Sequence, residues 1–240
     1  NKFLADYIST GKMESLKQQL LSQSNNFSVA DSKRLGKLVA KRLPTYEPLF
    51  RENAEKNNLD WHLLAAVAYQ ESHWDPRAKS PTGVRGLMML TLDTAKEMGV
   101  SNRLDGEQSI KGGAAYLAKL RGRLPVRITE PDRTLLALAA YNVGFGHLED
   151  ARILTQRGGK NPDLWSDVRQ SLPLLSKKKF YSTLKYGYAR GAEPVLYVDN
   201  IQYYRNYLAL YSLHVKDLPS EKINDVLSQP EWEPSNLPSI

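Results

Sequence analysis

The chain has 240 residues, enough for one sizeable core and part of a second. Apolar residues make up 41% and charged residues 25%, an ordinary balance for a globular protein, and no apolar run nears the roughly 18 residues that span a bilayer. A net charge of +7 and a pI of about 9.4 suit an anionic partner without choosing among nucleic acid, lipid headgroups and wall polymers, while the lack of cysteine excludes disulfides and thiolate metal ligands.

No basic-then-apolar signal segment opens the chain. It begins on Asn1, so it reads as a fragment, with any export signal or lipid anchor expected upstream. Residues 1–24 carry an amphipathic helical pattern, with Phe3, Leu4, Tyr7 and Ile8 followed by Leu16, Leu20 and Leu21. The polar run 22–26 reads as a loop. A basic helix over 29–43 is expected to stop near Pro44, because proline disfavours helix in the residue before it. Further helices are predicted over 46–57 and 60–73, the second capped by Asp60. Thr91 can cap a helix that ends before Gly99 and has Asp93 in its positive first turn. Helices over 107–121 and 132–142 follow, the latter closed by Gly144. The cluster Lys177-Lys178-Lys179 lies in a polar stretch and reads as a solvated loop. Tyr197, Ile201, Tyr204, Leu208 and Tyr211 recur at intervals of four, three, four and three, one stripe of a long helix. Strand-like alternation is scarce, so the fold class is mainly α. After His214 the chain turns polar and proline-rich, which suits a loosely held tail.

The helix from Trp61 to Ser72 carries the chemistry. At roughly 100° per residue, Glu71 lies about 20° from Leu64 around the axis and close to Val67 and Ala68, so a carboxylate stands on the apolar stripe. Asp75-Pro76 follows, which puts Glu71 in the last turn near the negative end of the dipole. Desolvation and the dipole both disfavour its charged form and should raise its pKa. A carboxyl that stays protonated near neutral pH is what general-acid cleavage of a glycosidic bond requires. The alternative is a structural glutamate that curls to solvent or pairs with an arginine.

Beyond it, Ser80-Pro81-Thr82-Gly83 has type I turn preferences and leads into Gly86-Leu87-Met88-Met89-Leu90. Gly83 and Gly86 allow backbone to approach closely, and Ser80 and Thr82 supply hydroxyls. Met88 and Met89 line a site or simply fill a core. A third element ends in Tyr141-Asn142 and a glycine-rich exit. Tyr141 offers a flat face and a hydroxyl, and Asn142 an amide for a polar sugar substituent, although the same residues would serve as a helix C-cap.

Taken in order, Glu71-Ser72, Ser80-x-x-Gly83-x-x-Gly86-Leu87-Met88, Tyr141-Asn142-x-Gly144 and Glu193-x-x-x-Tyr197-Val198 resemble the goose-type lysozyme and soluble lytic transglycosylase family. The string from Gln70 to Thr91 is most similar to a membrane-bound branch of it. The resemblance covers about residues 46–212 and implies a lysozyme-like helical domain with a glycan-binding cleft. It implies a lyase that cleaves the β-1,4 bond between MurNAc and GlcNAc in peptidoglycan, giving 1,6-anhydroMurNAc ends. Glu71 would protonate the glycosidic oxygen and then deprotonate the MurNAc 6-hydroxyl that attacks the anomeric carbon. Ser80, Thr82, Met88, Met89, Tyr141, Asn142 and Tyr197 would line the cleft, with Glu193 further along it; Tyr197 also fits a packing role on its helical stripe. One departure is Met89, where many relatives have glutamine, so an amide contact to the glycan is lost or supplied elsewhere.

The same resemblance implies that residues 1–24 are the closing helix of a regulatory domain like the periplasmic solute-binding proteins, with 25–45 a connection, 46–212 the catalytic domain and 213–240 the tail. It implies peptidoglycan strands and muropeptides as partners, no cofactor and no metal. The expected location is the periplasm, at the outer membrane through upstream sequence. Two other readings stay open: a hydrolytic muramidase on the same fold, and a non-catalytic wall-binding module with an inert Glu71. A nucleic-acid binder is suggested only by charge, with no recognised motif, and is not expected.

Overall fold

The computed structural model describes residues 29–81 and 83–214, with side chains from Arg34 to Ser212. The expected closing helix over 1–24, nearly all of the tail over 213–240, and Thr82 lie outside the described residues. In chain order the helices are α1 (Val29–Lys41), α2 (Leu43–Lys56), α3 (Trp61–Ser72), α4 (Leu92–Glu97) and α5 (Gly106–Arg123). There follow α6 (Asp132–Val143), α7 (Phe145–Arg157), α8 (Trp165–Ser171), a 3-10 turn (Leu172–Ser176), α9 (Lys178–Tyr181) and α10 (Glu193–His214). Among the described residues there is no strand, only two isolated bridges, Lys79 with Arg85 and Arg85 with Leu90.

The chain falls into two units. One holds residues up to Pro48 together with those from Tyr203 onward, and the other is Leu49–Gln202. In the first, Gly36 of α1 faces Tyr207 of α10, and a Cβ at Gly36 would lie 3.1 Å from the Tyr207 hydroxyl. The first helix stops near Pro44 as expected, at Lys41, but the next begins before the proline. Only Arg42 separates α1 from α2, and Pro44 occupies the first turn of α2, where its missing N–H had no intrahelical partner to lose.

The second unit is organised around α3. Asp60 caps it, its carboxylate accepting from the His62 amide at 2.9 Å. Leu63 to Tyr69 are all buried, so the helix is enclosed on every side rather than along one stripe. It ends one residue earlier than the sequence suggests. His73 and Trp74 both take left-handed backbone, φ 52° and 57°, a costly conformation for side chains of this size. Packing offsets the cost: Trp74 is fully buried and its Nε1–H donates to the Ala65 carbonyl at 2.9 Å. The tryptophan thus folds back on α3 and fixes where the helix stops.

The irregular segment after it is held by side chains. The Ser72 hydroxyl donates to the Leu87 carbonyl at 2.8 Å, the Met88 amide donates to the Ser109 hydroxyl at 3.0 Å, and the Arg103 guanidinium donates to the Leu90 and Gly83 carbonyls at 2.8 and 3.0 Å. Gly86 has φ +84°, and a Cβ there would lie 1.7 Å from the Arg103 carbonyl oxygen. Helix α6 packs on both α5 and α7. Helices α7, α8 and α9 were not foreseen as separate elements, and the lysine cluster belongs to α9 and its cap rather than to a loop, though all three lysines are exposed as expected. Gly191 lets the approach to α10 press on the 3-10 turn, since a Cβ there would lie 1.7 Å from the Leu172 carbonyl oxygen.

Gly86 and Gly83 share a positive φ, but nothing lies within 4 Å of a Cβ on Gly83. Gly83→Ala should therefore cost only the backbone term, about 1–2 kcal/mol, whereas Gly86→Ala adds a backbone clash and should cost more than about 3 kcal/mol. Urea-unfolding midpoints compare the two; equal losses would show that the Arg103 contact does not constrain the loop.

Candidate active site

Glu71 sits in the last turn of α3, one residue before the point where Ser72 and Trp74 end the helix. Its neighbours one turn back, Val67 and Ala68, are fully buried, and Glu71 itself keeps only partial exposure. The carboxylate accepts a hydrogen bond from the Tyr197 hydroxyl, Oη to Oε1, at 2.6 Å. Burial pushes the Glu71 pKa up from 4.5 to about 7, and the Tyr197 hydrogen bond opposes that rise by favouring the charged form. Tyr197, 5% exposed, stands one turn into α10, which sets the phenol against α3. The alternatives left open for Tyr197 and Glu71 therefore meet in one contact: the tyrosine packs and also donates.

Tyr141 lies near the end of α6. Its hydroxyl donates to the Met88 carbonyl at 2.9 Å, and its ring meets that of Tyr116 edge-on, with centroids 5.4 Å apart. Burial holds the Tyr141 and Tyr197 phenols well above their usual range, with the Glu71 charge adding to the effect. Both therefore stay protonated and serve as donors. The Glu71 charge acts on both phenols, so the Glu71–Tyr197 pair and the Tyr141–Met88 pair are electrostatically coupled. No carboxylate or cation contributes to the Glu71 shift, which burial and Tyr197 account for.

Residues 48–164 match the transglycosylase SLT domain. Over 208 residues the chain is 56% identical to a membrane-bound lytic murein transglycosylase F from Saccharophagus degradans, covering 87% of this chain and 42% of that one. A protein of the same name from Marinobacter nauticus is 50% identical over 218 residues, 91% of this chain and 43% of its own. Residues 48–164 of the chain belong to the transglycosylase SLT family. The chain spans less than half the length of these relatives. Its fold is similar to that of the 70 kDa soluble lytic transglycosylase SLT70 from Escherichia coli, with a TM-score of 0.52 at 19% identity over 95% of this chain and 37% of that one. An inactive mutant of lytic transglycosylase Slt from Pseudomonas aeruginosa gives the same TM-score at 15% identity, over 90% and 35%. The mainly α, lysozyme-like class expected from the sequence is the class of this SLT domain.

The remaining expected site residues fall in different surroundings. Met88 has no exposed surface and packs on Gly113, where a Cβ would lie 2.6 Å from its Cε; its side chain fills core and its carbonyl is the acceptor for Tyr141. Met89 is partly exposed and takes left-handed backbone, φ 47°. Ser80 is half-buried; its carbonyl accepts from the Gly83 amide and its amide donates to the Val84 carbonyl, both at 3.1 Å. Asn142 is exposed. It is not the α6 cap, a role taken by Gly144, whose amide reaches the Ala140 carbonyl at 2.8 Å. Glu193 is exposed in the first turn of α10 and pairs with Arg190 at 3.3 Å. Thr82 is outside the described residues. Among the described residues, no cluster of His, Asp or Glu could hold a metal.

The sequence assigns no role to three residues with structural parts in this site, Ser72 entering it only as part of the Glu71-Ser72 motif. Ser72 is buried and ties α3 to the Leu87 carbonyl; its signal is a polar residue in an otherwise apolar helix, next to the acid. Tyr116 is half-buried, with its phenol pushed up by burial, and nothing in the spacing of α5 distinguishes it from a packing aromatic. Arg103 has no local signal, because its targets are carbonyls 13 and 20 residues away.

A carboxyl with a raised native pKa makes stability fall with pH. The unfolded chain releases this proton near 4.5 and the native chain near 7, so the stabilisation is complete below 4.5 and is lost as pH rises through 7, by about 3 kcal/mol. Glu71→Gln should remove that slope, which urea denaturation at pH 5 and pH 8 measures; parallel pH profiles for the two proteins would refute the raised pKa. Tyr197→Phe removes the opposing donor and should raise the Glu71 titration midpoint by about one pH unit. Carbon-detected NMR of the side-chain carboxyl reads it directly, and a midpoint that stays put or falls would show that the bond has no hold on the charge.

Proposed function

We propose that this chain is the catalytic part of a peptidoglycan lytic transglycosylase that cleaves the β-1,4 bond between MurNAc and GlcNAc without water, with Glu71 as acid and then base. The observation that carries the reading is a buried carboxyl with its pKa raised to about 7, held by a tyrosine and by no charged partner. The names of the relatives, lytic murein transglycosylases, support the substrate class.

Protonated Glu71 gives its proton to the glycosidic oxygen as the bond from the anomeric carbon to that oxygen breaks. The resulting carboxylate takes the proton of the MurNAc 6-hydroxyl, whose oxygen bonds the anomeric carbon. One carbon–oxygen bond breaks, one forms, and Glu71 ends protonated as it began. One carboxyl suffices because the attacking group belongs to the substrate, whereas glycosidases that employ water or a covalent intermediate need a pair. A pKa near 7 suits a group that must first donate and then accept. In this reading Ser80, Thr82, Met89, Tyr141, Asn142 and Tyr197 line the cleft, Met88 contributes through its carbonyl, and Glu193 lies further along.

The whole protein would hold a solute-binding-like regulatory domain ending at residue 24, a connection over 25–45, the catalytic domain over 46–212 and a tail over 213–240. The share of the relatives that the chain leaves uncovered supports a further domain, and their membrane-bound description supports a periplasmic place at the outer membrane.

Mass spectrometry of digested sacculi tests the chemistry. The expected products carry anhydro ends, one water lighter than hydrolysed ends; reducing ends alone would instead identify a muramidase. Glu71→Gln should lower the rate at least about a hundredfold, and activity should decline as pH rises through 7, where the acid loses its proton. Unchanged wall clearing by Glu71→Gln would show that Glu71 is not the catalytic acid, and no clearing by either protein would make the chain a binding module.

A further inference from the structure

A groove of about 440 Å³ opens where the end of α7 meets α8, the 3-10 turn and α9. Leu154, Leu174 and Phe180 give it an apolar floor, and Arg157 and Lys160 stand on its rim. None of the residues around Glu71 lines it. We propose that this groove is a second binding site of this chain, for the carboxylate-bearing peptide stems attached to the glycan, separate from the bond-breaking centre. The proposal rests on peptidoglycan being the substrate.

Charge supplies the first reason. Not one acidic residue lines the groove, and between Gln170 and Ala192 the charged residues are Lys177, Lys178, Lys179, Lys185 and Arg190, all cationic. The Lys179 ammonium lies 5.9 Å from the ring of Phe180, a residue of the groove. Other arginines of the same unit are paired with carboxylates: Arg127 with Asp163, Arg152 with Glu149 and Asp163, Arg169 with Asp199. Arg157 and Lys160 instead contact neutral acceptors, the Thr183 hydroxyl at 3.1 Å and the Gln170 carbonyl oxygen. Among the described residues neither forms an ion pair, so their charge is available to a ligand.

The negative end of α7 does not cancel this field. The Leu154, Thr155 and Gln156 carbonyls accept from the amides of Gly158, Lys160 and Gly159 at 3.0, 3.1 and 3.0 Å, so the last turn is satisfied by its own chain. Shape supplies the second reason. The volume lies in the range of small-ligand sites, and an apolar floor with a cationic rim fits a short peptide with small apolar side chains and free carboxylates. A polyanion without apolar groups would leave the floor unused, and a lipid surface would not enter the groove.

The test uses the Glu71→Gln form of this chain, so that binding is read without turnover, and the free tetrapeptide L-Ala-γ-D-Glu-diaminopimelate-D-Ala as probe. Amide shifts on titration should concentrate at Thr155, Gly158, Ser171 and Thr183. Arg157→Gln with Lys160→Gln should weaken binding at least fivefold, and added salt should weaken it further. The amidated tetrapeptide should bind less well than the free acid. Shifts confined to the surroundings of Glu71, or none at all, would overturn the proposal, as would binding to anionic vesicles with no response to the peptide. The shift map needs no rim variant, so an unstable double variant would not rescue a negative result. Anhydro products from intact walls test the reading beneath: their absence would sink the transglycosylase, while their presence with no peptide binding would sink the groove alone.

Discussion

The hydrogen bond from Tyr197 to Glu71 joins parts of the chain 126 residues apart, and the rest of the site is arranged to make it possible. A carboxyl at the end of a buried helix would in isolation either ionise at great cost or stay neutral over the whole useful pH range. A neutral donor changes that balance without abolishing it. The phenol lowers the carboxyl's pKa from what burial alone would set, and burial keeps the phenol itself protonated. Each group thus fixes the protonation of the other.

That pairing demands a rigid frame, because a hydrogen bond at 2.6 Å tolerates little drift. On one side the frame is the end of α3. Trp74 closes it by reaching back to the Ala65 carbonyl, and two consecutive residues take left-handed backbone to let it do so. On the same helix Ser72 faces the other way and holds the Leu87 carbonyl. The segment from Gly83 to Leu90 is consequently tied to α3, to Ser109 and to Arg103, and its Met88 carbonyl is the acceptor for Tyr141. A loop with only two backbone bridges is held in place by side chains from α3, α5 and α6 and by Arg103.

How much of this the sequence discloses depends on the range of the interaction. Asp60, Thr91 and Gly144 act on amides or carbonyls within four residues, and all three caps sit where local preferences put them. Glu71 was legible for the same reason: helical periodicity alone puts it among apolar neighbours. The end of α3 was misplaced by a residue because Trp74 decides it, through a contact made nine residues back. Pro44 shows the opposite limit, since one residue of coil turns a helix stop into a helix start. The roles of Ser72, Arg103 and Tyr116 are set by partners elsewhere in the fold, and no spacing within their own helix or loop encodes them. Met88 and Met89 look alike in sequence and diverge in the structure, one enclosed against Gly113 and the other half exposed on a left-handed residue.

A cationic partner for Glu71 would be the commoner solution for a buried carboxylate, and it would defeat the chemistry. An arginine at hydrogen-bond distance lowers a carboxyl pKa by one to three units, which returns a value near 7 to the ordinary range and leaves a permanent anion. Such a group holds a base and no proton to give. The protein carries a large excess of positive charge, yet no cation acts on the Glu71 titration, while other arginines of the same unit are paired with Asp163, Glu149 and Asp199. Keeping cations away from this acid and holding it with a neutral hydroxyl is therefore a single requirement, and both halves of it follow from a carboxyl that must carry its proton near neutral pH and still be able to part with it.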